Sequence, residues 1–327
     1  MESTAAAPES GRLWPYVQIA RVDHWFKNVF MLLGVAVAYF IDPSHVTLAA
    51  LPKVLLALLA ACLVASSNYV LNELLDAPQD RLHPVKRSRP AAAGRIKTPI
   101  ALTEWLLLAV AGIGAGWLAH PTVAATALAF FMSGIVYNVP PLRTKELPYL
   151  DVLSESINNP IRLLLGWFAV DQHSVPPVSL FIAYWMAGAF FMAIKRLAEY
   201  RRIDDKEVAA SYRRSFRYYD EDRLMVSLFF YAVMAGLFTG VFIVRYRLEL
   251  ILALPLVGGF FAYYMKIGLR QDSPVQNPER LHRERGFLMY ALLCAAVCLV
   301  LMLSHIPALY ELFNVPAAQT APLWTLD

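Results

Sequence analysis

Apolar runs, each about as long as a helix needs to cross a bilayer, recur along the chain and are separated by polar connections of unequal length. Nine are predicted as membrane-spanning helices, at about 25–42, 50–71, 100–118, 120–137, 150–171, 177–195, 224–244, 249–268 and 286–306. The connections on one side are long and polar, and those on the other are short. The pattern predicts an all-α, polytopic membrane bundle. Residues 1–20 are expected to form a disordered tail, 21–308 a single transmembrane domain, and 309–327 a C-terminal tail.

Composition agrees with that pattern. At 58% hydrophobic and 17% charged residues, with a mean hydropathy of +0.48, the chain is too apolar for a soluble globule of this size. The distribution of charge tests the number of spans. If odd and even spans run in opposite directions, all of the 29 Lys and Arg except Lys53, Arg162, Arg245 and Arg247 fall on one side. Lys and Arg gather on the cytoplasmic side, so the N-terminus and the large loops are expected there and the C-terminus opposite. A bacterial inner (plasma) membrane is the expected location. The net charge of +4 reflects this bias and does not argue for a nucleic-acid partner. Cys62, Cys294 and Cys298 lie in apolar runs without metal-ligand spacing.

The polar positions that interrupt the apolar pattern carry the candidate chemistry. Asn68, Asn72, Asp76 and Asp80 are four residues apart and share one face for as long as the helix persists. Pro78 is expected to end that helix near Ala77, so that Asp80 returns from a loop. Asn72, Asp76 and Asp80 are candidate ligands of a divalent cation. Arg81, Lys86, Arg87, Arg89 and Arg95 follow at once, as partners for the phosphates that such an ion neutralises. Asn68, inside the second span, is a substrate-binding candidate because polar groups in hydrocarbon are costly.

Three further groups lie at the ends of later spans. Tyr137, Asn138, Arg143 and Lys145 follow the fourth; an interfacial aromatic anchor and a substrate contact are both open for Tyr137. Asp151, Glu155, Asn158, Asn159 and Arg162 recur at steps of three or four and predict one polar face on the fifth span, with Arg162 bound to Glu155, to Asn158 or to a phosphate. Lys195, Arg196 and Glu199 close the sixth, with Asp204, Asp205, Arg213, Arg214 and Arg217 beyond. Lys195 and Glu199 are spaced for an i, i+4 pair. This concentration of positive charge suits phosphate or anionic headgroups.

With these motifs the chain resembles the UbiA superfamily of intramembrane prenyltransferases, whose members carry NDxxDxxxD after the second of nine helices and a second acidic motif after the sixth. The resemblance runs from RVDHWFKNVF (Arg21–Phe30) to the ninth span, and is supported by HPVKRSRP (His83–Pro90), YNVPPLRTK (Tyr137–Lys145) and KRLAEYR (Lys195–Arg201). It implies a UbiA-like bundle with cytoplasmic active-site loops, a Mg²⁺ cofactor, and as partners a polyprenyl-lipid substrate, a diphosphate-bearing substrate and membrane lipids; a homo-oligomer is compatible with it. Asp76, Asp80, Lys195, Glu199 and Tyr137 would be catalytic. Asn68, Lys86, Arg87, Arg89, Lys145, Asn158, Arg162 and Arg196 would bind substrate phosphates.

Two departures matter. Glu73 replaces the usual Asp after the Asn. Lys195 and Arg196 stand where acids are usual, as in the branch that makes polyprenylphosphoryl phosphoribose from phosphoribosyl pyrophosphate. Prenyl transfer from a polyprenyl diphosphate to an aromatic or other small acceptor, in the manner of 4-hydroxybenzoate polyprenyltransferases, is the alternative. A non-enzymatic lipid transporter is a more distant one, since it would carry its polar residues at the bilayer centre.

Overall fold

A computed structural model of the chain describes residues 10–45, 47–82, 86–202, 214–270, 273–276, 281 and 283–316. Their regular elements are helices, with no strand among the described residues. The longer helices are α1 (Ser10–Ile19), α2 (Leu32–Ile41), α3 (Ala50–Asp80), α4 (Thr98–Ala119), α5 (Pro121–Asn138), α6 (Leu150–Ser156) and α7 (Asn158–Val170). They continue with α8 (Val178–Arg202), α9 (Glu221–Tyr246), α10 (Leu254–Gly268), α11 (Arg285–Leu303) and α12 (Pro307–Leu312). Among the described residues, 8 helical stretches are long and apolar enough to cross a membrane, from Leu13–Ile41 to Arg285–Leu303.

These stretches coincide with every predicted span except the fifth. That span is two helices, α6 and α7, and neither alone reaches bilayer length. The break follows from Pro160, whose nitrogen has no proton to bond the Ser156 carbonyl one turn earlier. The face predicted to run unbroken from Asp151 to Arg162 is therefore divided. Residues 10–19 form α1, with Ile19 buried against Val70 and Ala77 of α3. The C-terminal segment forms α12, whose Tyr310 is buried and donates to Glu249 at 3.1 Å.

The chain divides into two compact units. The first holds residues 1–35, 46–144 and 161–172; the second holds 36–45, 145–160 and 173–327.

In the first unit α3 is central, packed by α4, α5, α1 and the 3₁₀ segment Val22–Met31. Small residues allow close approach, as is usual where helices pack without a hydrophobic drive. A Cβ on Gly166 of α7 would lie 1.9 Å from the Met31 carbonyl oxygen, and one on Gly34 would lie 1.9 Å from that of Leu163. Trp25 donates to Ser66 at 2.8 Å, so the Val22–Met31 segment is also tied to α3 by a polar bond. In the second unit α8 packs on α9, α6 and α10. Its core is aromatic around Phe190, Phe191, Phe260, Phe261 and Tyr264.

Candidate active site

With 31 residues, α3 is about 46 Å long at 1.5 Å per residue, against about 30 Å of bilayer hydrocarbon. The helix is thus longer than the apolar slab by roughly ten residues, and Asn72, Glu73, Asp76, Gln79 and Asp80 all fall in its last ten. Pro78 does not end the helix. It forfeits one bond, to Leu74, but the Arg81 N–H still reaches the Ala77 carbonyl at 3.2 Å. Asp80 is therefore helical, and Asn68, Asn72, Asp76 and Asp80 form one stripe.

The stripe is polar at its outer end and structural at its inner end. Asn68 donates to the Phe130 carbonyl at 2.9 Å and lies over Gly134, where a Cβ would meet its side chain at 2.1 Å. Its bond is to α5. Asn72 donates from its amide nitrogen to Asp76 Oδ2 at 3.2 Å and to Asn138 Oδ1 at 2.6 Å. Arg143 spans the same corner, bonding the Asn138 carbonyl at 3.1 Å and Asp76 Oδ1 at 3.1 Å. Asp80 is buried and accepts from Arg89 at 2.6 Å. Lys86 and Arg89 are half-buried and Arg87 is exposed. Tyr137 is half-buried on the last turn of α5, where its neighbour Asn138 makes the link to Asn72.

The donor set fits Mg²⁺. Among the described residues no group of three or more His, Cys, Asp or Glu side chains forms a metal cage. Two carboxylates and one amide oxygen on a single helical face instead suit a hard cation that keeps water and substrate phosphates in its remaining positions. Asn72, Asp76 and Asp80 are the residues that would hold it.

Glu73 is not part of this stripe. It is 1% exposed and turned to the neighbouring face, where it meets Arg21 at 3.4 Å and the Ala91 N–H at 3.2 Å. Arg162 lies in the first unit beside Asn28 and Phe130. It donates to Asn28 at 2.8 Å and its guanidinium lies 4.9 Å from the Phe130 ring centre.

In the second unit the decisive side chain is Arg196, 1% exposed. Its guanidinium donates to Asp151 at 3.3 Å, to Glu199 at 3.2 Å and to Glu155 at 2.7 Å. It meets carboxylates from two helices, because α6 brings Asp151 and Glu155 up to α8. Asp151 also accepts from Ser215 at 3.2 Å and from Tyr219 at 2.6 Å. Burial first, then the Asp151 charge, pushes the Tyr219 hydroxyl above its ordinary value, so it stays a donor.

The expected Lys195–Glu199 pair does not form, since Glu199 bonds Arg196. Lys195 is half-buried, and no carboxylate among the described residues forms a salt bridge with it. Lys145 is buried, and Asn158 is half-buried at the start of α7. His83, Pro84, Val85, Asp204, Asp205 and Arg213 lie outside the described residues.

Sequence reasoning missed the Arg196 cluster and the burial of Glu73. The steps of three and four linking Asp151 to Glu155 and Arg196 to Glu199 were a usable signal for the former. No local signal marked the latter.

Residues 28–282 match the family model described as the UbiA prenyltransferase family. The chain is 30% identical over 222 residues, 67% of either chain, to decaprenyl-phosphate phosphoribosyltransferase of Mycolicibacterium smegmatis. It is 31% identical over 156 residues to protoheme IX farnesyltransferase of Alkalihalophilus pseudofirmus, covering 46% of this chain and 49% of that one. Its fold is similar to that of a UbiA homologue from Archaeoglobus fulgidus bound to DMAPP and Mg²⁺, with a TM-score of 0.65 and 19% identity over 89% of this chain and 99% of the other.

Proposed function

Since the chain belongs to the UbiA prenyltransferase family, and so is an integral-membrane transferase, we propose that it moves a phosphoribosyl group from phosphoribosyl pyrophosphate to a polyprenyl phosphate in a Mg²⁺-dependent reaction. The observation that carries this reading is the state of the second motif. Its Glu199 closes around Arg196 together with Asp151 and Glu155 of α6, which disposes these carboxylates poorly for a second metal ion. Beside them Lys195 is a half-buried cation without a carboxylate partner among the described residues. A lysine so placed suits a substrate phosphate held without metal. The mycolicibacterial relative, named for transfer to decaprenyl phosphate, supports the same choice.

The reaction breaks the bond between ribose C1 and the diphosphate oxygen, which leaves with the electron pair. A lipid phosphate oxygen forms the new bond to C1. Bound Mg²⁺ supplies charge neutralisation for the departing diphosphate. Asn72, Asp76 and Asp80 hold the cation, and Lys86, Arg87 and Arg89 meet phosphate oxygens. Lys195 orients the lipid phosphate. Arg196 sets the second motif's carboxylates rather than meeting substrate. Apolar helices keep water from the cationic carbon. Nine spans, with α6 and α7 together making the fifth, belong to this reading, as do cytoplasmic active-site loops in a bacterial plasma membrane; the one-sided Lys and Arg support both.

Lys195→Ala is expected to raise KM for polyprenyl phosphate by about tenfold, the scale of one lost charge-assisted contact, and to leave KM for phosphoribosyl pyrophosphate near wild type. Asp76→Ala and Asp80→Ala are expected to abolish turnover in folded protein. An unchanged lipid KM, or substantial turnover in either Asp variant, contradicts the assignments. Prenyl transfer to a small acceptor is the second reading, favoured by the likeness to protoheme IX farnesyltransferase.

A further inference from the structure

Glu73 sits between the proposed metal-binding residues in sequence but faces away from them in space. It is 1% exposed, and a carboxylate that deep needs bonded partners. It has two, from segments far apart in the chain. One is Arg21, 3.4 Å away, whose guanidinium also lies 5.4 Å from the centre of the Tyr69 ring on α3. The other is the backbone N–H of Ala91, at 3.2 Å.

Both partners are specially placed. Arg21 has φ 48° and ψ 51°, a left-handed conformation that L side chains rarely adopt. At that residue the chain turns from α1 into the Val22–Met31 segment, and the turn delivers the guanidinium to Glu73. Ala91 lies in the buried foot of the basic segment, beside Ala92, whose carbonyl accepts from Arg81 at 3.3 Å. Two residues earlier Arg89 meets Asp80 at 2.6 Å. Two carboxylates of α3 thus fasten one short stretch: Asp80 holds its guanidinium and Glu73 its backbone. The Glu73–Ala91 bond fixes where the stretch carrying Lys86, Arg87 and Arg89 sits along α3.

We propose that Glu73, bridged to Arg21, is a positioning residue that sets the basic 86–95 segment for diphosphate binding and is not itself a metal ligand. The proposal rests on the reading of α3 as the Mg²⁺–diphosphate site. It gives the longer side chain at this position a purpose, since the extra methylene extends the carboxylate to a segment that approaches from the side of the helix.

The test uses full-length protein in lipid nanodiscs, with Mg²⁺-pyrophosphate as the probe, so that it does not depend on which donor the enzyme uses. Hydrogen exchange in the 86–95 segment is expected to quicken in Glu73→Gln and in Arg21→Gln. Affinity for Mg²⁺-pyrophosphate is expected to fall about tenfold in Glu73→Ala and less in Glu73→Gln, which keeps an acceptor for Ala91. Adding Arg87→Gln is expected to cost less in the Glu73→Gln background than in wild type, because a misplaced segment already wastes Arg87. Unchanged exchange overturns the proposal, as does strict additivity with Arg87→Gln. So does a raised Mg²⁺ requirement at saturating pyrophosphate, which would make Glu73 a metal ligand. If wild type does not bind Mg²⁺-pyrophosphate, while 86–95 still loosens in Glu73→Gln, the diphosphate-site reading is what fails, and the positioning role falls with it.

Discussion

Arg196 and Asp151 are the residues on which the second unit's polar architecture depends. A buried ion pair is weak evidence of net stability, but removing one partner leaves an uncompensated buried charge. Asp151 is fully buried and would be that charge. Arg196→Met is expected to destabilise the protein by about 3–5 kcal/mol, toward the lower figure because Glu155, 32% exposed, can be rehydrated. Thermal unfolding in detergent measures it, and a stability equal to wild type would show that the cluster is not what holds α6 to α8. At this scale the sequence was partly legible. Asn72, Asp76 and Asp80 were readable because helical spacing is a local property. The partners of Arg196 and Glu73 were not, because bringing Asp151 to Arg196 or Ala91 to Glu73 is decided by tertiary packing.

At the scale of elements, apolar run length placed most helices to within a few residues, since the bilayer sets a minimum length that composition reports directly. Proline was the poorer guide. Pro78 was expected to stop α3 and does not, because a proline in a last turn forfeits one bond where carbonyls are already losing partners. Pro160, which drew no attention, accompanies the break between α6 and α7. The close approach of α7 to the Val22–Met31 segment and α2 was also invisible in the pattern, though Gly34 and Gly166 permit it. Gly166→Ala would set a methyl 1.9 Å from the Met31 carbonyl oxygen. Such overpacking is expected to cost about 1–3 kcal/mol, read as a lowered unfolding temperature in detergent. An unshifted temperature would mean that this contact relaxes freely.

For the whole molecule, family and membrane character follow from the pattern and are met by the family match over residues 28–282. The proposed choice of reaction depends on fewer groups: the stripe on α3 proposed to hold Mg²⁺, and a second motif whose Glu199 pairs with Arg196 while Lys195 has no carboxylate partner among the described residues. Spacing alone suggested that Lys195 and Glu199 pair with each other. The structure pairs Glu199 with Arg196 instead, and the proposed reaction assigns Lys195 to a phosphate. The most direct test is pyrophosphate release by purified protein given phosphoribosyl pyrophosphate, with and without polyprenyl monophosphate and Mg²⁺. The account predicts release only when both substrates and Mg²⁺ are present, and its loss in Asp76→Ala. No release from folded protein over a range of lipid lengths, with turnover instead on a polyprenyl diphosphate and a small acceptor, would contradict it.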